Sequence, residues 1–142
     1  MTICADSSFL VPYYLQDVHS SETDRRMSTA PSVWITPLNR TELAHAIHQY
    51  VFRGAIPLPD AQLAWQSFED DCSNGVWSEV DLPEGTWETS IDLAQRYGPA
   101  FGVRTLDSLH VACALELKAR RFWTFDERQA RLAQAVGLDT NP

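Results

Sequence analysis

The chain has 142 residues, 44% of them hydrophobic and 21% charged, and a formal net charge of −8. That length suits one domain, residues 1–142, with one sizeable core, and the composition excludes a disordered or low-complexity chain. The acidity argues against a protein that coats nucleic acid by counterion release, though not against a nuclease, because carboxylates gathered around a divalent cation make a chain look acidic. The N-terminal "MTICADSSFLVPYYLQD" lacks a basic leader and carries Asp6, so neither a signal peptide nor a membrane span is expected. Cys4, Cys72 and Cys113 form no CxxC pair and are read as reduced core thiols of a cytoplasmic protein.

In chain order, "TICAD" predicts a short buried strand ending at Asp6, and "SSFLVPYYLQ" a helix that Pro12 delays or bends. The polar "HSSETDRRMSTAP" predicts a short exposed helix with a loop. "SVWIT" (Ser32 to Thr36) is a second strand. Thr36 then offers an N-cap, Pro37 a first helical residue and Gly54 a stop, for a helix running to about Phe52. "LPDAQLAWQSFEDDC" is another helix, closed by Asn74 and Gly75. Alternation marks "VWSEVDL" as a third strand, and "GTWETSIDLAQRYG" as a helix capped by Gly98. The apolar helix "RTLDSLHVACALEL", the strand "RRFWTF" and the helix "DERQARLAQAVG", ending at Gly137, complete the chain. Strands alternating with helices predict an α/β fold with a mostly parallel sheet.

The apolar residues of "RTLDSLHVACALEL" cover nearly the whole circumference of a helix, which places it inside the protein. Yet Asp107 lies in its first turn, on the face of Val111 and Ala114. A carboxylate there is costly unless paired, and alone it would take up a proton; a divalent cation would keep it ionised. It could also help to open the helix, as Thr105 does. Asp6 and Asp126 each end a predicted strand just before a helix, where a plain N-cap explains them; Asp126 even has Gln129 three residues on. Glu42 borders the apolar arc of the Pro37 helix, and on ordinary grounds is a solvated glutamate. Its side chain nevertheless leans back toward the strand end. In open parallel sheets, sites form beyond the carboxyl ends of the strands, so these four acids meet at one edge. Oxygen donors of this kind suit Mg²⁺, which keeps several waters. The expectation is therefore a metal shared by Asp6, Glu42, Asp107 and Asp126.

These residues resemble a known family. "ICADSSFLV" is similar to the first motif of PIN-domain ribonucleases, and "ITPLNRTELAHAI" to their second, with Glu42 as its acid. "RTLDSLHVACALEL" closely resembles the third motif of the VapC-type toxins, with Asp107 as its acid, and "FWTFDERQARLAQAVGL" the fourth, where a Thr-x-Asp closes the last strand. The resemblance implies a Mg²⁺- or Mn²⁺-dependent endoribonuclease on a three-layer α/β/α sandwich, usually dimeric, in which metal-activated water attacks a phosphodiester. It also implies an antitoxin protein that blocks the activity. Asp6, Glu42, Asp107 and Asp126 would be the metal ligands, and Ser7 and Thr124 donors that orient them. Arg104 would contact phosphate or pair with one of the acids.

Other readings have less behind them. Glu42-Leu-Ala-His45 and Asp107-Ser-Leu-His110 have the spacing of di-iron helical bundles, but the predicted strands argue against a bundle. His45 and His48 fall on a polar arc and read as solvated. "ADSSF" lacks the second acid of a haloacid-dehalogenase phosphatase. A catalytically inactive PIN-like module that binds RNA or a partner is the main alternative. Trp34, Trp65, Trp77, Trp87 and Trp123 could stack on bases, although core or dimer-interface roles are the ordinary ones. A homodimer is expected from "DAQLAWQSF", which offers Leu63, Trp65 and Phe68 with few charges nearby.

Overall fold

A computed structural model describes residues 1–142. Four three-residue strands, β1 (Ile3–Ala5), β2 (Val33–Ile35), β3 (Trp77–Glu79) and β4 (Arg121–Trp123), form one sheet in the order β3-β2-β1-β4, every pair parallel. Seven helices cover it: α1 (Ser7–Tyr14), α2 (Ser20–Met27), α3 (Pro37–Phe52), α4 (Leu58–Ser73), α5 (Thr86–Phe101), α6 (Thr105–Glu116) and α7 (Glu127–Ala135). The architecture is the expected α/β/α sandwich.

The strands point alternate side chains to opposite faces. Ile3, Ala5, Val33, Ile35, Trp77 and Trp123 enter a core under α1 to α4, with Phe9, Leu43, Ile47 and Phe68. Cys4 and Phe122 enter a second core under α5 to α7, with Leu93, Val111, Ala112 and Leu132. Sheet strands buried on both faces explain why each reads as an uninterrupted apolar run. The chain steps outward from β1 to β2 to β3 and then crosses back to β4 on the other side of β1. The strand order thus reverses between β1 and β4, the place where open parallel sheets form their sites.

Local chemistry sets several boundaries as expected. Thr36 accepts from the Leu38 amide (3.2 Å) and its own amide donates to Asn39 Oδ1 (2.9 Å), with Pro37 opening α3. Gly54, Gly75 and Gly137 take the positive φ that ends α3, α4 and α7. Other expectations need correction. α5 does not stop at Gly98: it runs on through Pro99 to Phe101, and Gly102 at φ 64° supplies the left-handed cap. α2 is not simply exposed, since Ser20, Thr23 and Met27 are buried against α1. On α4, Phe68 is fully buried in the chain's own core and Trp65 half-buried, leaving only Leu63 at the surface. Trp77 and Trp123 are core residues, and among the tryptophans only Trp87 is exposed. Cys4 and Cys113 are buried free thiols and Cys72 is half-buried. Burial, and after it the neighbouring Cys113, pushes the Cys4 thiol up to about 12, so it is protonated and inert. No helix is long and apolar enough to cross a membrane.

Candidate active site

All four predicted acids lie along the carboxyl edge of the sheet, each supplied by a different element. Asp6 follows β1, Glu42 is in the second turn of α3, Asp107 is in the first turn of α6, and Asp126 precedes α7 after β4. They are held in three hydrogen-bonded groups.

Asp6 is buried, and its N-cap position is deceptive, because its side chain makes no capping bond. Instead, Oδ1 accepts from Ser8 Oγ (2.6 Å) and Oδ2 from Thr124 Oγ1 (2.9 Å). Ser8 Oγ also accepts from the Phe125 amide (2.8 Å), and Thr124 Oγ1 from the Asp126 amide (3.0 Å), so two hydroxyls pin the loop after β4 to β1. Burial raises the Asp6 carboxyl to about 6, against the lowering pull of the Ser8 hydroxyl, His110 and the Thr124 hydroxyl. No cation contacts it within the chain.

Glu42 accepts from Ser7 Oγ (2.8 Å) and from Nε2 of His110 through the same oxygen, Oε1. Burial pushes its carboxyl up, but the hydrogen bond and charge of His110, with the Ser7 hydroxyl, outweigh this and hold it below the usual carboxylate value. His110 itself is buried, one turn beyond Asp107.

Asp107, buried on the apolar helix, meets Arg104. Its Oδ2 accepts from the Arg104 amide and from Arg104 Nε, both at 3.2 Å. The Arg104 guanidinium, two-thirds exposed, then reaches Asp126 Oδ2 at 3.5 Å. Asp126 caps α7 as expected, its Oδ1 accepting from the Gln129 amide (3.0 Å). Buried Gln129 in turn donates from Nε2 to the Asp107 carbonyl (3.1 Å), locking α7 to α6. The groups share one electrostatic neighbourhood, since Asp6 feels Glu42 and His110, and Arg104 feels Asp107, Asp126 and Glu42.

Each residue singled out from sequence is therefore found at this edge, but two of the functional side chains there were missed. Ser8 binds Asp6 more directly than Ser7, which serves Glu42. His110 had been passed over as an ordinary histidine. On a helix buried all round it needs a partner for the same reason Asp107 does, and that reasoning would have found it. His45 and His48 are exposed, as expected.

No three His, Cys, Asp or Glu side chains are close enough together to coordinate one ion. The donor set is nonetheless carboxylate oxygen throughout, which suits a hard cation held by one or two carboxylates, several waters and a substrate phosphate rather than by an all-protein cage. Buried Asp6, supported only by hydroxyl donors, is the acid that such a cation would compensate.

A comparison with curated protein sequences finds no match. Among solved structures, the chain resembles VapC20 of Mycobacterium tuberculosis, described as a sarcin-ricin loop cleaving toxin (TM-score 0.73, 15% identity, 99% of each chain covered). It also resembles VapBC2 of Rickettsia felis, solved with a DNA fragment from its promoter (TM-score 0.70, 12% identity, 99% of this chain and 98% of that one). A toxin-antitoxin complex from Klebsiella pneumoniae is similar too (TM-score 0.68, 15% identity, 97% and 96%). At these identities the likeness is one of fold. The PIN domain family model matches residues 3–135, nearly the whole chain, with the four acids inside the matched span; the chain belongs to the PIN domain family.

Proposed function

We propose that this protein is a Mg²⁺- or Mn²⁺-dependent endoribonuclease, the toxin of a toxin–antitoxin pair, acting in the cytoplasm as a homodimer. The observation that carries this reading is the meeting of four carboxylates, each from a separate element, where the strand order reverses. Family membership and the toxin–antitoxin neighbours support it.

When bound, the divalent cation supplies a nucleophilic water at neutral pH and neutralises charge on the phosphodiester. The chain's own residues do the rest. Ser8 and Thr124 fix both oxygens of Asp6. Ser7 and His110 both bind Glu42 Oε1, leaving Oε2 free to face the site. Arg104 holds Asp107 and Asp126 at the helix starts, and its exposed guanidinium offers a fork to the nonbridging oxygens of the scissile phosphate.

The test is cleavage of RNA with Mg²⁺ or Mn²⁺ and with EDTA, for wild type and for Asp6→Asn, Glu42→Gln and Asp107→Asn. Metal-dependent cleavage lost in all three variants is expected; cleavage that survives EDTA or all three substitutions overturns the reading. Induced expression should arrest bacterial growth, and co-expression of the neighbouring antitoxin gene should relieve it. RNA binding with no cleavage under any divalent metal would assign the chain to the inactive modules instead.

A further inference from the structure

Two clefts flank the acids, and they differ in character. One, of about 570 Å³, is lined by Phe101, Arg104, Asp126, Glu127, Arg128 and Arg131 at the meeting of α5, α6 and α7. The other, of about 350 Å³, is lined by Leu38, Glu42, His45, Ala46 and Leu106 with Ser7. Arg104 belongs to the first and Leu106 to the second, with the Asp107 carboxylate just beyond them on α6, so both clefts open on the carboxylates.

The first cleft gathers three of the chain's 11 basic residues, although the whole chain carries a net charge of −8. Arg128 and Arg131 form no ion pair, whereas Arg25, Arg26, Arg40, Arg96, Arg104 and Arg121 all do. The Arg131 guanidinium carbon lies 5.8 Å from the centroid of the Phe101 ring, and Tyr97 stacks behind that ring at 5.7 Å. A guanidinium plane backed by aromatic rings is pre-organised for phosphate and for base faces. The second cleft presents hydrocarbon from Leu38, Ala46 and Leu106, with Ser7, Glu42 and His45 as polar edges. A flat apolar base fits such a notch only when it is neither paired nor stacked.

We propose that the two clefts form one groove for a single RNA strand, which takes its phosphates on Arg128 and Arg131 and turns an unpaired base into the notch between Leu38 and Leu106. The ribonuclease reading enters only as the reason for taking RNA as the polymer. The substrate class is then single-stranded or loop RNA, and duplex is excluded by the notch.

The experiment measures binding of a fluorescein-labelled, unstructured 12-nucleotide RNA, and of the same RNA annealed to its complement, with Mg²⁺ present. Asp6→Asn is the background, so that cleavage does not compete. The single strand should bind and the duplex should bind much more weakly. Arg128→Ala with Arg131→Ala should weaken binding roughly 10- to 30-fold at 0.1 M salt and flatten the log–log salt dependence by about 1.4, at ~0.7 per lost phosphate contact. Leu106→Ser, at an exposed position, should weaken binding roughly 3- to 10-fold and leave the salt slope unchanged. Arg53→Ala is the charge control: Arg53 caps the far end of α3, roughly 24 Å from the acids, and should change affinity less than about twofold. Equal binding of duplex and single strand, an Arg53 effect as large as that of the arginine pair, or no RNA binding at all would each overturn the groove. Unchanged RNA affinity in Leu106→Ser would also overturn it, leaving the notch to a protein partner. Wild-type protein that binds RNA in this pattern but cuts nothing would preserve the groove and remove the ribonuclease reading, so the two failures are distinguishable.

Discussion

Asp6 and Asp107 are both buried acids at the same edge, yet they meet different surroundings, and the difference decides what each substitution does. Burial lifts Asp6 from 3.8 to about 6. A raised folded-state value means that the fold favours the protonated form. The stability this contributes is complete below about pH 4 and lost as pH rises through 6, a change on the order of 3 kcal/mol. In EDTA, Asp6→Asn should therefore abolish that part of the pH dependence and stabilise the protein at pH 7 by about 1–2 kcal/mol. The gain is less than the full shift because the amide offers Ser8 and Thr124 one acceptor in place of two. Cleavage should vanish. Melting curves at pH 4 and pH 7 check this, and a variant that melts lower at pH 7 would contradict it. Asp107→Asn should behave otherwise. It keeps the bond from the Arg104 amide and loses only an ion pair with a mostly exposed guanidinium, so stability should move by under ~1 kcal/mol while cleavage falls. From sequence, Asp107 looked like the acid in greatest need of a cation. Its apolar helix was legible, but its partner, three residues upstream, was not recognised. The need of Asp6 was hidden because an Asp between a strand and a helix is read as a cap.

Among the elements, those closed by their own local chemistry were legible. The Thr36–Pro37 start of α3, the Asp126 cap of α7 and the glycine ends of α3, α4 and α7 each need only three or four neighbouring residues to be understood. α5 failed this test because Gly98 and Pro99 together look like a stop. The helix passes over both, since packing on α6 and α7 outweighs the missing Pro99 amide, and it ends only where Gly102 can adopt φ 64°. Gly102→Ala should accordingly cost about 1–2 kcal/mol from backbone strain alone, because a Cβ there meets nothing within 4 Å. Gly98→Ala, at a helical position with equally open space, should instead stabilise by up to ~1 kcal/mol. Denaturant unfolding of the two variants measures both signs, and a Gly102→Ala protein as stable as wild type would show that the joint relaxes. The exposure of α4 also misled. An apolar spacing says that a helix has a buried face, but whether its own chain or another copy covers that face is a tertiary fact. Phe68 is covered by its own core. The exposed apolar pair lies on α5, where Trp87 and Ile91 are 56% and 59% accessible one turn apart. A homodimer is expected to use this face, so Trp87→Glu should shift sedimentation equilibrium at micromolar concentration toward the 16.0 kDa species.

For the molecule as a whole, the alternation of elements made the sandwich legible, whereas the order β3-β2-β1-β4 was not, because nothing local says on which side of β1 a later strand will pair. That order is what brings Asp126 beside Asp6, 120 positions apart in the chain. Four acids assembled by long-range pairing, with Arg104 and His110 as the only cationic side chains bound to them, leave the folded state with a negative edge that the unfolded chain lacks. A divalent cation that binds this edge and not the unfolded chain must raise stability by mass action, by about 2.7 kcal/mol at one hundred times its dissociation constant. For a domain of this length that is roughly 5 to 10 °C in Tm. The gain should be larger at pH 7 than at pH 5, because at pH 5 the proton on Asp6 must first be displaced. It should shrink in Asp6→Asn, which has no charge to neutralise there. Melting curves with EDTA and with excess Mn²⁺ at the two pH values, for wild type and variant, measure all three comparisons. A wild-type Tm that EDTA and Mn²⁺ leave equal at pH 7 would mean that these carboxylates bind no metal, and would take the metal-dependent chemistry with it.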